Sequence, residues 1–76
     1  METQKSDSTG VPKIHPTAVV NRNARIEDNV VIGPYSIIGP NVVIGEGCFI
    51  GAHVVIDGHT TIGRNNRLFT GAVVGS

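Results

Sequence analysis

An aliphatic side chain recurs every six positions along most of the chain: Ile14, Val20, Ile26, Ile32, Ile38, Ile44, Ile50, Ile56, Ile62, Leu68 and Val74. No insertion interrupts the series. An amphipathic helix would repeat at three and four, and a half-buried strand at two, so neither element explains a period of six. A short strand followed by a corner does, and stacked units of that kind form a hexapeptide parallel β-helix. The other hexad positions agree. Four residues after each aliphatic stands a small or medium side chain, among them Ala18, Val30, Ser36, Val42, Cys48, Val54 and Ala72. These are expected to point inward, where a narrow prism has no room for larger groups. One residue after the aliphatic come Gly33, Gly39, Gly45, Gly51, Gly63 and Gly75, expected to supply the backbone angles of the corners.

Three hexads close one triangular coil, so residues 14–76 form an all-β helix of about three coils, ~4.8 Å apart. Residues one coil apart then stack in columns. On one face the outward column reads Val19, Ile37, Val55 and Val73, wholly β-branched. β-propensity alone would place such residues there. A contiguous exposed apolar strip also marks a subunit contact, and that reading is favoured. The other two faces read Arg25, Val43, Thr61 and Val31, Phe49, Arg67. Residues 1–13 lack the period and carry Lys, Asp, Ser and Gly, the composition of a flexible leader. At the other end Val74-Gly75-Ser76 opens a further hexad with no polar cap, so the chain is expected to be incomplete at its C-terminus.

Composition narrows the function. Six Lys and Arg balance six Asp and Glu, which argues against a nucleic-acid or anionic-membrane binder acting through bulk charge. No apolar run approaches the ~20 residues of a membrane span, and the first ten residues lack the apolar core of a secretory signal. The single cysteine excludes an internal disulfide framework. A cytoplasmic location is expected.

The residues alone assemble no catalytic, substrate-binding or metal constellation. His53 and His59 sit on outward positions of one coil, and His15 is in another register, so three ligands do not converge within one chain. A metal site shared between subunits stays open. Cys48 occupies an inward position and is expected to be a buried structural thiol. Arg64 and Arg67 flank Asn65-Asn66 at a corner, where either solvent or a phosphate could meet them. Ser36, Thr60 and Ser76 have no evident base and orienting partner. No cofactor is implied.

A resemblance adds what the residues do not. IHPTAVV at 14–20, IGPYSIIGPNVVIGEG at 32–47, and HVVIDGHTTIGRNN at 53–66 followed by LFTGAVVGS resemble the opening coils of hexapeptide acyltransferases. The third stretch is the most specific, and together they resemble the N-terminal portion of the UDP-N-acetylglucosamine O-acyltransferase family of lipid A biosynthesis. The resemblance implies a left-handed parallel β-helix, a hand opposite to the general crossover rule. It also implies a homotrimer, here through Val19, Ile37, Val55 and Val73. The implied activity moves a 3-hydroxyacyl group from acyl carrier protein to the 3-hydroxyl of UDP-N-acetylglucosamine. The family's catalytic histidine and substrate-binding residues correspond to positions after residue 76. Alternatives are the N-acyltransferase of the same pathway, which carries an extra domain before its helix, and the γ-class carbonic anhydrases, which need three zinc histidines. A non-catalytic β-helix trimerisation module is the alternative of another class. The 76-residue chain by itself is therefore predicted to transfer no acyl group in an assay with acyl carrier protein thioester and sugar nucleotide; measurable turnover would refute this.

Overall fold

The computed structural model describes residues 10–75. They form eleven short strands in chain order: β1 (Lys13–Ile14), β2 (Val19–Val20), β3 (Arg25–Ile26), β4 (Val31–Ile32), β5 (Ile37–Ile38), β6 (Val42–Ile44), β7 (Phe49–Ile50), β8 (Val55–Ile56), β9 (Thr60–Ile62), β10 (Arg67–Leu68) and β11 (Val73–Val74). Each hexad contributes one strand, ending on the periodic aliphatic. The strands assemble into three parallel sheets, which are the faces of the prism: β1-β4-β7-β10 is the first, β2-β5-β8-β11 the second and β3-β6-β9 the third. Every pairing steps by one coil, as in Val31↔Phe49, Ile37↔Val55 and Val43↔Thr61, so the three outward columns expected from the period are the columns observed. The result is a parallel β-helix of about three turns, consistent with the left-handed form. Residues 1–9 of the expected leader lie outside the described residues. Lys13 already pairs with Val31, one residue ahead of the expected boundary, and Asn29 N–H donates to the Gly10 carbonyl at 2.9 Å.

The interior is a stack of periodic aliphatics. Ile32, Ile38, Ile44, Ile50 and Ile56 are fully buried, with Val30, Val42, Val54, Cys48 and Ser36 in the gaps between them. Burying each Ile stabilises the fold by about 1.5–3 kcal/mol before entropy is counted. Two of the small inward residues also bond polar groups. Ser36 Oγ donates to the Gly51 carbonyl at 2.7 Å and accepts the Val54 N–H at 3.1 Å. Cys48 Sγ stands at the equivalent hexad position and donates to the Gly63 carbonyl at 2.8 Å.

The glycines following the aliphatics serve a different purpose from the one expected. Left-handed backbone falls mostly two residues later, at Asn29, Tyr35, Gly47, His53, Asn65 and Gly71, with Gly10 and Gly58 outside that register, whereas Gly33, Gly39, Gly45, Gly51 and Gly63 keep ordinary angles. Gly75 alone of the expected set has positive φ. What the middle coils require is close approach. A methyl group on Gly33 would lie 2.8 Å from the Gly51 carbonyl carbon, and one on Gly45 would lie 2.9 Å from the Gly63 backbone. The same glycines donate the ladder bonds, Gly33 N–H to Ile50 O and Gly45 N–H to Ile62 O, both at 2.8 Å.

Ser36→Ala leaves the Gly51 carbonyl and the Val54 N–H without their shared partner in a dry interior. It is predicted to cost about 1–3 kcal/mol in a denaturant titration, with Ser36→Cys milder because a thiol can still donate. An unchanged midpoint for the alanine variant would contradict the role assigned to the hydroxyl.

Candidate functional site

Chemistry-bearing side chains sit on the outward columns and at the three corners, because the interior has space only for aliphatic and small groups. The second face presents Val19, 61% exposed, Ile37, 48%, and Val73, 72%, with Val55 half-buried between them. The first face presents Lys13, Val31, Phe49 and Arg67, with the Arg67 guanidinium carbon 5.4 Å from the Phe49 ring centroid. Arg25, Val43 and Thr61 form the third.

The corners differ sharply in polarity. The corner leading from third face to first carries Glu27, Asp28, Glu46 and Arg64, with Asn29, Gly47 and Asn65 in left-handed backbone. Arg64 Nη2 meets Glu46 Oε1 at 3.2 Å across one coil, and Arg25 Nε meets Glu27 Oε2 at 3.3 Å. Both pairs are exposed. The corner between second and third faces carries Arg22, Asp57 and the exposed His59. From first face to second, the corner holds His15, Pro16, Thr17, Pro34, Tyr35, Ala52, His53 and Phe69, and no ionised Asp, Glu, Lys or Arg.

This first corner gathers the side chains closest to a reactive arrangement. His15 Nδ1 lies 2.9 Å from Thr17 Oγ1 and accepts the Thr17 N–H at 3.1 Å. Thr17 Oγ1 in turn accepts the Tyr35 N–H at 3.1 Å. The imidazole nitrogen is thus already held by backbone, and the pair fastens the turn below Tyr35. One coil above, the Tyr35 and His53 rings stack with centroids 5.2 Å apart and planes 20° apart.

The structure scatters the remaining candidates. Among the described residues, no group of three His, Cys, Asp or Glu gathers in a metal-binding arrangement. Cys48 is buried and bonded, as its inward position implied. Arg64 and Arg67 do not converge: one pairs with Glu46 and the other covers Phe49. Thr60 Oγ1 donates to the Asp57 carbonyl at 2.6 Å, Ser36 is fully buried, and Ser76 lies outside the described residues. No helix of the described residues is long and apolar enough to cross a membrane. The Glu46–Arg64 pair was missed in the sequence, although its one-coil spacing would have shown it.

Arg64→Ala is predicted to shift unfolding free energy by less than about 0.5 kcal/mol, as befits an exposed pair. A loss several times larger would show that Arg64 holds something other than Glu46.

Two descriptions of known families match the chain: bacterial transferase hexapeptide (six repeats) over residues 23–58, and the hexapeptide repeat of succinyl-transferase over residues 41–76. Among relatives, an acyl-[acyl-carrier-protein]–UDP-N-acetylglucosamine O-acyltransferase of Xanthomonas euvesicatoria is 54% identical over 69 residues, covering 91% of this chain and 26% of the relative. The enzyme of the same name from Bartonella quintana is 50% identical over 64 residues, covering 84% and 23%. That from Chlamydia caviae is 40% identical over 63 residues, covering 83% and 23%. The chain spans about a quarter of the length of these relatives. The two matches together span residues 23–76, on a strand register that steps by one coil throughout, so the chain is built from hexapeptide repeats of the kind found in bacterial transferases.

Proposed function

We propose that this chain is the N-terminal segment of a cytoplasmic acyltransferase that moves a 3-hydroxyacyl group from acyl carrier protein to the 3-hydroxyl of UDP-N-acetylglucosamine. We further propose that it assembles as a homotrimer through Val19, Ile37, Val55 and Val73. The observation that carries the activity is the 40–54% identity to three enzymes of that printed name, sustained over 83–91% of this chain. The assembly is supported by the apolar column of the second face. It runs through all four of that face's strands without a charged side chain.

In this reading the contribution of the segment is positional. The coils provide a rigid stack whose second face orients neighbouring subunits, so that groups from different subunits can be brought to one substrate. Rigidity matters here because small misplacements of reacting groups cost large factors in rate. The stiffness comes from the coil-to-coil ladder and from an interior in which the central aliphatics have almost no free surface.

A chimera tests the proposal. The aligned segment of the Xanthomonas euvesicatoria relative is replaced by residues 8–76 of this chain, and acyl transfer to UDP-N-acetylglucosamine is followed together with subunit mass. The expected chimera stays trimeric and keeps kcat/KM within about tenfold of its parent, a difference of about 1.4 kcal/mol in transition-state stabilisation. A folded chimera that no longer turns over, or that no longer assembles, would overturn the reading.

A further inference from the structure

The first corner holds a feature that the fold does not require. At the charged corner the left-handed positions carry Asn29, Gly47 and Asn65, types that tolerate that backbone. At the first corner the same positions carry Tyr35, with φ 60°, and His53, with φ 57°, before Gly71 takes over one coil above. A tyrosine there costs on the order of 1–2 kcal/mol, histidine being better tolerated, and such strain persists only where the surroundings over-determine it, most often at functional sites. Burial does not account for it, since Tyr35 is 58% exposed and His53 is also exposed. Both are nevertheless fixed: Tyr35 N–H bonds Thr17 Oγ1 at 3.1 Å, His53 N–H bonds the Pro34 carbonyl at 2.9 Å, and the two rings stack. The corner is therefore a preordered aromatic step facing solvent.

We infer that the Tyr35–His53 step is the second half of the self-association surface, seating against Ile37 and Val55 of another copy of the chain. This rests on the trimer reading and deepens it. A closed ring of three is built from a heterologous contact, in which one patch meets a different patch on the next copy. The second face supplies one patch. The first corner borders it and matches it in charge: neither carries an Asp, Glu, Lys or Arg. Seating the apolar column on any other outward surface would desolvate ionised groups. The first face brings Lys13 and Arg67, the third Arg25, and the remaining corners Arg22, Asp57, Glu46 and Arg64. Pitch matches as well. Tyr35 and Ile37 are two residues apart in the same coil, as are His53 and Val55. With parallel helix axes, each ring stands within about 0.5 Å in height of its aliphatic partner at ~4.8 Å per coil. The aromatic step and the aliphatic column thus meet rung for rung, and tyrosine is enriched among the residues that anchor such contacts.

The test uses the full chain and its native probe, because Tyr35 is the only tyrosine and there is no tryptophan. Iodide quenching of tyrosine emission is measured across the concentration range in which sedimentation velocity shows assembly. Quenching is expected to fall as the chain associates. Undiminished quenching in the assembled protein would overturn the inference. In parallel, the double variant Tyr35→Asn with His53→Asn keeps side chains that suit left-handed backbone. It is expected to weaken assembly at least tenfold without lowering the melting temperature of the dissociated chain. If that variant assembles like the wild type while Ile37→Glu is monomeric, the inference falls and the trimer reading survives. A wild type that is monomeric throughout, or an Ile37→Glu variant that still assembles, would bring down both.

Discussion

Everything in this chain depends on one spacing: the backbone of each coil must approach the next closely enough for strands only two or three residues long to form ladder bonds. A short strand makes few bonds of its own, so cooperativity comes from stacking coils rather than from any single sheet. Gly33, Gly45 and Gly51 leave out the atom that would hold successive coils apart, and their N–H groups donate across the gap so created. The interior follows from the same constraint. Once coils stack in register, each periodic isoleucine lies above its counterpart one coil below, and small residues fill what remains. Ser36 and Cys48 show how tightly that space is used, each bonding a carbonyl at the next level.

The same register sorts the surface. Columns, not individual residues, are the units that face solvent or a partner, because every outward position repeats one coil later. Charge accumulates on the corner carrying Glu27, Asp28, Glu46 and Arg64, while the second face and the aromatic corner beside it carry none. Exposed ion pairs such as Arg64–Glu46 contribute little to stability. Their position instead leaves an uncharged belt on the side turned away from them. In the proposed trimer, that belt is the surface that sets where neighbouring subunits stand.

Much of this was legible in the residues. Period six identified the strand-and-corner unit, and multiplying it by three located the outward columns that the strand pairing reproduces. The inward placement of Cys48 and Ser36 followed from side-chain size. What periodicity could not convey was why a residue type recurs. The glycines after the aliphatics looked like turn residues, yet they serve close approach, and the left-handed positions lie two residues further on. At the charged corner Asn29, Gly47 and Asn65 carried that signal, but at the first corner Tyr35 holds the position against local preference, with His53 one coil above, and nothing in the composition marked it. The Ser36 and Cys48 hydrogen bonds link an inward hydroxyl or thiol to a carbonyl of the next level, a relation that appears only once the corner is built. Handedness is likewise absent from the spacing and entered only through the resemblance.

The central claim is the single one-coil register, and nuclear Overhauser contacts in the isotopically labelled chain test it most directly. The account predicts backbone cross-peaks linking Val31 to Phe49, Ile37 to Val55 and Val43 to Thr61, one from each face. Cross-peaks at any other spacing, or pairing on one face without the other two, would contradict it.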